Sequence, residues 1–286
     1  MKLQITESPR DAFQGLHDFI PTQQKIDYIN SLLKVGFNII DIGSFVSEKA
    51  IPQMKDTDEV IKKLNLSDTQ TELMVLIANM KGVEKAMNFD EISWLAFPYS
   101  VSKTFLKLNI NADFEEGIKI IENTNNHCQK KNKKLKVYLT MAFGNPYKDI
   151  FNTEIVLNAV HQLNNLGIKY IALSDITGVS EIKTINEIYY QLLREFPSIE
   201  FGFHLHSRPN VCIEKIDAAF TSGCRNFDAV INAMGGCPMT GYELVSNLNT
   251  IDLYEYLKVK EIRTSINNIA FYNSVEMNNK MFGNKV

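Results

Sequence analysis

Apolar residues gather along the chain in eight short runs, at 3–6, 37–42, 73–78, 92–97, 135–142, 170–173, 199–205 and 226–231. Several are continuous rather than alternating, as in FNIID, LMVLIAN and KYIALSD. A strand with one wet face alternates; one covered on both faces does not. The runs therefore predict parallel strands beneath helices. Between most of them the spacing changes to that of an amphipathic helix. Over 22–35, Ile26, Ile29, Leu32 and Leu33 share a face and Gly36 ends the stretch. The stretches 114–128, 153–166, 184–196 and 211–222 read similarly, and Gly167 and Gly223 stand where a left-handed residue closes a helix. Strands alternating with helices over eight repeats predict an α/β fold, a closed (β/α)8 TIM barrel. A doubly wound sheet is the alternative, but no GxGxxG follows the first run.

The chain has 286 residues, and such a barrel needs about 250. The reading is one domain over 1–286, with the barrel at 3–255 and a helical tail at 256–286. The tail region starts with the amphipathic stretch IDLYEYLKV, and its polar end, 278–286, is expected to fray. Hydrophobic residues make up 45% and charged ones 22%, ordinary for a globular protein. A net charge of −3 is too mild to argue for nucleic acid or an anionic membrane as partner. The start, MKLQITESPR, lacks the apolar centre of a signal peptide, and no apolar run reaches the roughly 18 residues of a membrane span. Cys128, Cys212, Cys224 and Cys237 show no CxxC spacing. A cytoplasmic protein with free thiols is expected.

In such barrels chemistry sits at the C-terminal ends of the strands. Past the first run lie Glu7, Arg10, Asp11 and Gln14; at the second, Asp41, Ser44 and Ser47. The fifth leads to Gly144-Asn-Pro-Tyr147, the sixth to Asp175-Ile-Thr177-Gly178, the seventh to His204-Leu-His206. The eighth leads to Gly235-Gly-Cys237-Pro238 and then Asn247. The ionisable groups thus collect at one end of the barrel. His204 and His206, two apart on a strand, point the same way. They are either two histidines at a solvated strand end or the centre of a metal site. Asp11 could add a carboxylate and Asn247 an amide oxygen, a set suited to Mg²⁺ or Mn²⁺. Arg10 is a rim ion pair or a donor to developing negative charge. Cys237 is a small buried hydrophobe, as the other three cysteines are read, or a reactive thiol in a glycine loop. Asp175 is a helix cap or a substrate-binding acid. His17, His127 and His161 read as surface residues.

These residues also resemble a known family. Ser8-Pro9-Arg10-Asp11-Ala12-Phe13-Gln14 resembles the GPRDGLQ opening of the 3-hydroxy-3-methylglutaryl-CoA lyases. The stretch from Ile39 to Ser47, with Lys49 and Ile51-Pro-Gln-Met54, looks like their SFVSPKWVPQM segment. Asn109-Ile-Asn111 resembles NIN, Gly144-Asn-Pro-Tyr147 is similar to GCPY, and His204-Leu-His206 matches HxH. Gly235-Gly-Cys237-Pro238 with Asn247 and Thr250 is similar to GGCPYAxGASGNxAT. The matches run in order over most of the chain.

The resemblance implies a barrel of the pyruvate-carboxylase-like metallolyase group, with a divalent ion held by Asp11, His204, His206 and Asn247. It implies an acyl-CoA substrate near Gln14, Asp41 and Ser44, a homodimer, and a place in leucine degradation and acetoacetate (ketone-body) formation. The implied reaction is a metal-dependent retro-Claisen cleavage of 3-hydroxy-3-methylglutaryl-CoA to acetyl-CoA and acetoacetate. In it His204 or Asp175 takes the hydroxyl proton, Arg10 faces the enolate oxygen, and Cys237, a thiol with an ordinary value near 8.5, returns a proton to carbon. The alternatives are a Claisen-type acyltransferase or aldolase acting on another 3-hydroxyacyl-CoA, and a non-catalytic barrel that binds a CoA ester. The chain departs from the family pattern at Asn145, at Val101-Ser102-Lys103 (Ala-Ser-Glu in the family), at Ile176-Thr177 and at Ser207-Arg208-Pro209. These departures are expected to touch substrate.

Overall fold

The computed structural model describes residues 3–283. Eight parallel strands pair in sequence order and close on themselves. They are β1 (Gln4–Glu7), β2 (Ile39–Ser44), β3 (Glu72–Leu76), β4 (Ile92–Ser100), β5 (Lys134–Thr140), β6 (Tyr170–Asp175), β7 (Glu200–Leu205) and β8 (Asn226–Ala229). Each predicted run overlaps one of them, and the TIM barrel read from the sequence is the fold. Closure is made by β1 on β8, with Gln4 to Glu7 in register with Asn226 to Ala229.

Around the barrel run α1 (Pro9–Gln14), α2 (Thr22–Leu33), α3 (Thr57–Lys63), α4 (Met80–Ala86), α5 (Lys103–Ile110), α6 (Phe114–Lys130), α7 (Thr153–Asn165), α8 (Ile182–Glu195), α9 (Pro209–Thr221), α10 (Thr250–Val259) and α11 (Asn268–Phe282). Their starts carry the expected local chemistry. Asp113 and Glu116 form a reciprocal capping box on α6, and Asn79, Ser102 and Asn152 cap α4, α5 and α7.

Apolar side chains divide into two cores. The larger lies between strands and helices; the smaller, Ile39, Met74, Trp94, Ala96, Tyr138 and Ala172, fills the barrel itself. Pro98 is tolerated within β4 because pairing with β3 has ended at Ala96, so its missing N–H deprives no neighbour.

The tail differs from the expectation of fraying. Residues 278–282 are the last turn of α11, which packs on α2. Asn278 is buried and donates to the Tyr28 hydroxyl at 2.9 Å, while Phe282 lies against Phe13 and Tyr28. The polar sequence hid this because its buried members are mainly hydrogen-bonding residues. Residues 284–286 lie outside the described part.

Candidate active site

Arg10 and Asp11 stand on α1, a short helix just past the first strand that the sequence reading did not single out. Pro9 opens it, with φ preset for the first turn and no N–H to satisfy. The helix leaves β1 at once and turns both side chains inward, 4% and 3% exposed. Four of the five N–H donors of Arg10 are then engaged. Its Nε and Nη2 donate to Asp41 Oδ2 at 2.9 and 2.6 Å, and its Nη1 to Asp11 Oδ1 and Gln14 Oε1, both at 3.0 Å. Burial works against the charge, but Asp41 and Asp11 outweigh it and hold the guanidinium protonated.

His204 ends β7 and His206 follows it. His206 Nδ1 lies 3.0 Å from the Val245 carbonyl oxygen, which assigns the ring proton there and leaves a lone pair on Nε2. His204 Nδ1 faces Asp228 Oδ2 at 3.6 Å, and neither atom has a hydrogen-bond partner. The two Nε2 atoms are 3.0 Å apart. Asp11 Oδ2, which has no hydrogen-bond partner, is 3.7 Å from one and 3.9 Å from the other. A cation among them would take a lone pair from each ring and give the orphaned Asp11 Oδ2 a partner. The donor set therefore fits a divalent metal ion. Burial, helped by His204, lowers the His206 value to about 4, so this ring stays neutral and able to ligate. Asn247 pairs with His206 in an isolated bridge, and its amide nitrogen donates to the Met234 carbonyl oxygen at 2.8 Å.

Arg10, Asp11, Gln14, Ser44, His204, His206 and Cys237 all line one cavity of about 380 Å³ at the C-terminal mouth of the barrel. Its remaining wall is largely apolar, with Leu76, Pro98, Phe105, Tyr138 and Ile176. Cys237 is the half-exposed one of the four free cysteines; the other three are buried, as read from the sequence. Burial, with the Asp11 carboxylate adding to it, pushes its thiol up to about 12, well above the ordinary value the sequence reading assumed.

A sequence model of the HMGL-like family matches residues 2–276. The chain belongs to the HMGL-like family. It is 30% identical over 266 residues to hydroxymethylglutaryl-CoA lyase YngG of Bacillus subtilis, covering 93% of this chain and 88% of that one. A solved HMG-CoA lyase from A. baumannii, in complex with coenzyme A and 3-methylmalate, superposes with a TM-score of 0.91 at 28% identity. That superposition covers 99% of this chain and 92% of the other. The B. subtilis HMG-CoA lyase structure also gives 0.91, at 29% identity, over 98% and 94%.

Two candidates take other places in this HMGL-like site than the sequence expected. Asp175, read as a possible base, accepts from the backbone N–H groups of Val179 at 3.0 Å and Ser180 at 2.8 Å, and faces Lys215 at 3.5 Å. It pins the loop after β6 and does not line the cavity. Asp41, expected at the substrate, lies behind Arg10, wholly buried, and acts on the site through it. The departures from the family pattern mostly miss the cavity too. Lys103 and Arg208 are exposed, and Asn145 folds onto its own turn, accepting from Tyr147 and Asp149 N–H. Ile176 alone of them lines the cavity wall.

Sequence reasoning missed the charges inside the barrel. Lys136 on β5 donates to Asp228 on β8 at 2.8 Å and to Thr6 on β1 at 3.2 Å. Asp228 in turn backs His204. Against burial, Lys136 and His204 hold its carboxylate well below the usual range. The available signal was a charged residue inside each of two short apolar strand runs, VYL preceded by Lys136 and NF-AVI interrupted by Asp228.

Proposed function

We propose that this chain is a carbon–carbon lyase that cleaves 3-hydroxy-3-methylglutaryl-CoA to acetyl-CoA and acetoacetate. The observation that carries this reading is the convergence of Asp11, His204 and His206 with Arg10 and Cys237 on one cavity. Kinship with relatives named for that reaction supports it. A divalent ion held by Asp11, His204, His206 and Asn247 would polarise the substrate oxygens bound to it and ease loss of the C3 hydroxyl proton.

The rest falls to side chains. The side chains on the cavity wall that carry a nitrogen or carboxylate lone pair are Asp11, His204 and His206, and His206 stays neutral. His204, on the cavity wall with Asp228 beside its second nitrogen, is the residue we assign to receive the proton, through whichever ring nitrogen the ion leaves free. As the C2–C3 bond breaks, charge collects on the thioester oxygen. Arg10, locked in place by Asp41 and Gln14, meets that charge without reorganising. Cys237 keeps its proton at neutral pH and delivers it to C2. The apolar wall excludes water from the enolate and accepts the methyl group.

Magnesium or manganese as the ion, a cytoplasmic setting and a homodimer belong to the same reading; the first rests on the ligand types, the second on the free thiols and the third on family resemblance. A role in leucine breakdown and acetoacetate formation rests on that resemblance too. Among the described residues no helix is long and apolar enough to cross a membrane. The test is an assay of purified protein with Mg²⁺ against 3-hydroxy-3-methylglutaryl-CoA and close 3-hydroxyacyl-CoA analogues, following acetyl-CoA and acetoacetate. Acetoacetate formed in step with acetyl-CoA supports the reading; no cleavage of the glutaryl ester by folded, metal-loaded protein overturns it.

A further inference from the structure

Cys237 is carried on a segment that crosses the mouth of the barrel between two firm anchors. At one end Gly235 and Gly236, at φ +85° and +146°, bring the backbone so close to Asp11 that a side chain at Gly235 would collide with its carbonyl oxygen. At the other, the Val245 carbonyl oxygen faces His206 Nδ1 at 3.0 Å, and the Ser246 oxygen accepts from Ser207 N–H at 2.9 Å. Between these anchors most hydrogen bonds of the segment are internal, such as Thr240 to the Cys237 carbonyl. Among the described residues, two bonds tie its middle to the rest of the protein, and both are made by tyrosine hydroxyls. Tyr147, on the loop after β5, donates to the Thr240 carbonyl at 2.6 Å. Tyr242, on the cysteine segment, donates to the Pro146 carbonyl at 3.2 Å. The two rings meet edge to face at 5.6 Å.

We infer that Tyr147 and Tyr242 form a crossed latch that holds the Cys237 segment over the cavity, making both tyrosines positioning residues for the thiol. Each loop supplies one hydroxyl and one carbonyl, so the latch joins only when the two loops face each other in one register. Tyr242 is half exposed and Gly241, beside it, has no neighbour within 4 Å of where a side chain would start. The buried Thr240 and the core-facing Cys237 and Met239 add packing at the base of the stretch, whereas its tip, Gly241 to Leu244, is exposed. Release swings Cys237, Pro238 and Met239 away from the cavity they line, opening a way in for a bulky thioester; relatching returns the thiol to the reacting carbon. The catalytic side of this inference rests on the proton-donor reading of Cys237, whereas the latch itself can be tested without it.

The other three cysteines are buried, so a thiol reagent reports Cys237 directly. The test is the alkylation rate of Cys237 by iodoacetamide, located by peptide mass spectrometry, in the wild type, Tyr242→Phe, Tyr147→Phe and the double variant. Phenylalanine keeps the rings and removes only the hydroxyls. Loss of one such bond shifts an opening equilibrium about 2- to 10-fold. Each single variant should therefore alkylate faster by that factor, with an unchanged melting temperature, and the double variant faster still. In the lyase assay kcat should fall by a similar factor while KM changes less. Alkylation at the wild-type rate in both single variants and the double variant overturns the latch. Faster alkylation with wild-type kcat removes the two tyrosines from positioning the thiol. A wild-type protein that does not cleave the thioester counts against the lyase reading alone, because the alkylation rates still decide the latch.

Discussion

Arg10 bonds a single carboxylate oxygen of Asp41 twice, through Nε at 2.9 Å and Nη2 at 2.6 Å. The pair is buried, so the guanidinium has one orientation before substrate arrives. Arg10→Met should lower kcat by about 10²- to 10³-fold, the loss seen when one oxyanion donor is removed, while metal affinity by calorimetry changes much less. A larger effect on metal affinity than on turnover would count against the enolate role. Asp41→Asn should act in the same direction but more weakly, since it loosens Arg10 rather than removing it.

The thiol of Cys237 is expected to act as an acid, not a thiolate. Cys237→Ala should abolish most turnover yet lower the melting temperature by only a few degrees, because the side chain is small and partly buried at the edge of the core. Burial pushes the thiol up to about 12. The pH–rate profile should accordingly show no falling limb near the ordinary cysteine value of about 8.5. A limb there that disappears in a Cys237→Ser variant would show an unperturbed thiol and remove burial from the account.

The barrel was legible because burial on two faces leaves a continuous apolar signature, and each of the eight runs overlaps a strand. The site was legible in part. His204 and His206 needed only the period of a strand to be placed together, and they do meet, at 3.0 Å. Placing Arg10 and Asp11 needed α1, a helix of six residues too short to leave a periodic pattern. Thr6, Lys136 and Asp228 lie on three strands far apart in the chain, and only barrel closure brings them together. The crossed tyrosines are likewise 95 residues apart in sequence, 147 against 242, and no local pattern links them.

Asp228 supports His204 from behind, 3.6 Å from its Nδ1, and is itself tied to Lys136. A carboxylate in that position fixes the ring orientation for a metal ligand. Asp228→Asn should weaken Mg²⁺ or Mn²⁺ binding by about 10- to 100-fold, the usual cost of losing such support. Isothermal calorimetry on the metal-stripped protein measures this. Full turnover in excess chelator would refute the metal site itself, and unchanged affinity in Asp228→Asn would confine Asp228 to holding Lys136.

Glu7 gives stability a pH dependence whose sign is unusual for a carboxylate. It ends β1, is wholly buried, and accepts from Ile231 N–H at 2.8 Å and from the Thr250 hydroxyl at 2.6 Å. Burial, stronger than these two bonds, raises its value to about 8 from 4.5. Below about 4.5 the group is protonated whether the chain is folded or not, and its contribution to folding does not vary. Between about 4.5 and 8 the folded chain keeps a proton that the unfolded chain has lost, so stability falls as pH rises, by up to about 1.4 kcal/mol per unit from this group. Above about 8 the loss is complete. Glu7→Gln keeps an acceptor for Ile231 and can donate to Thr250, but it cannot ionise. Urea denaturation should find the variant close to wild type at pH 5 and more stable by roughly 1–4 kcal/mol at pH 8.5. Equal stability differences at the two pH values would mean that Glu7 titrates alike in the folded and unfolded chain, and would sink the assignment.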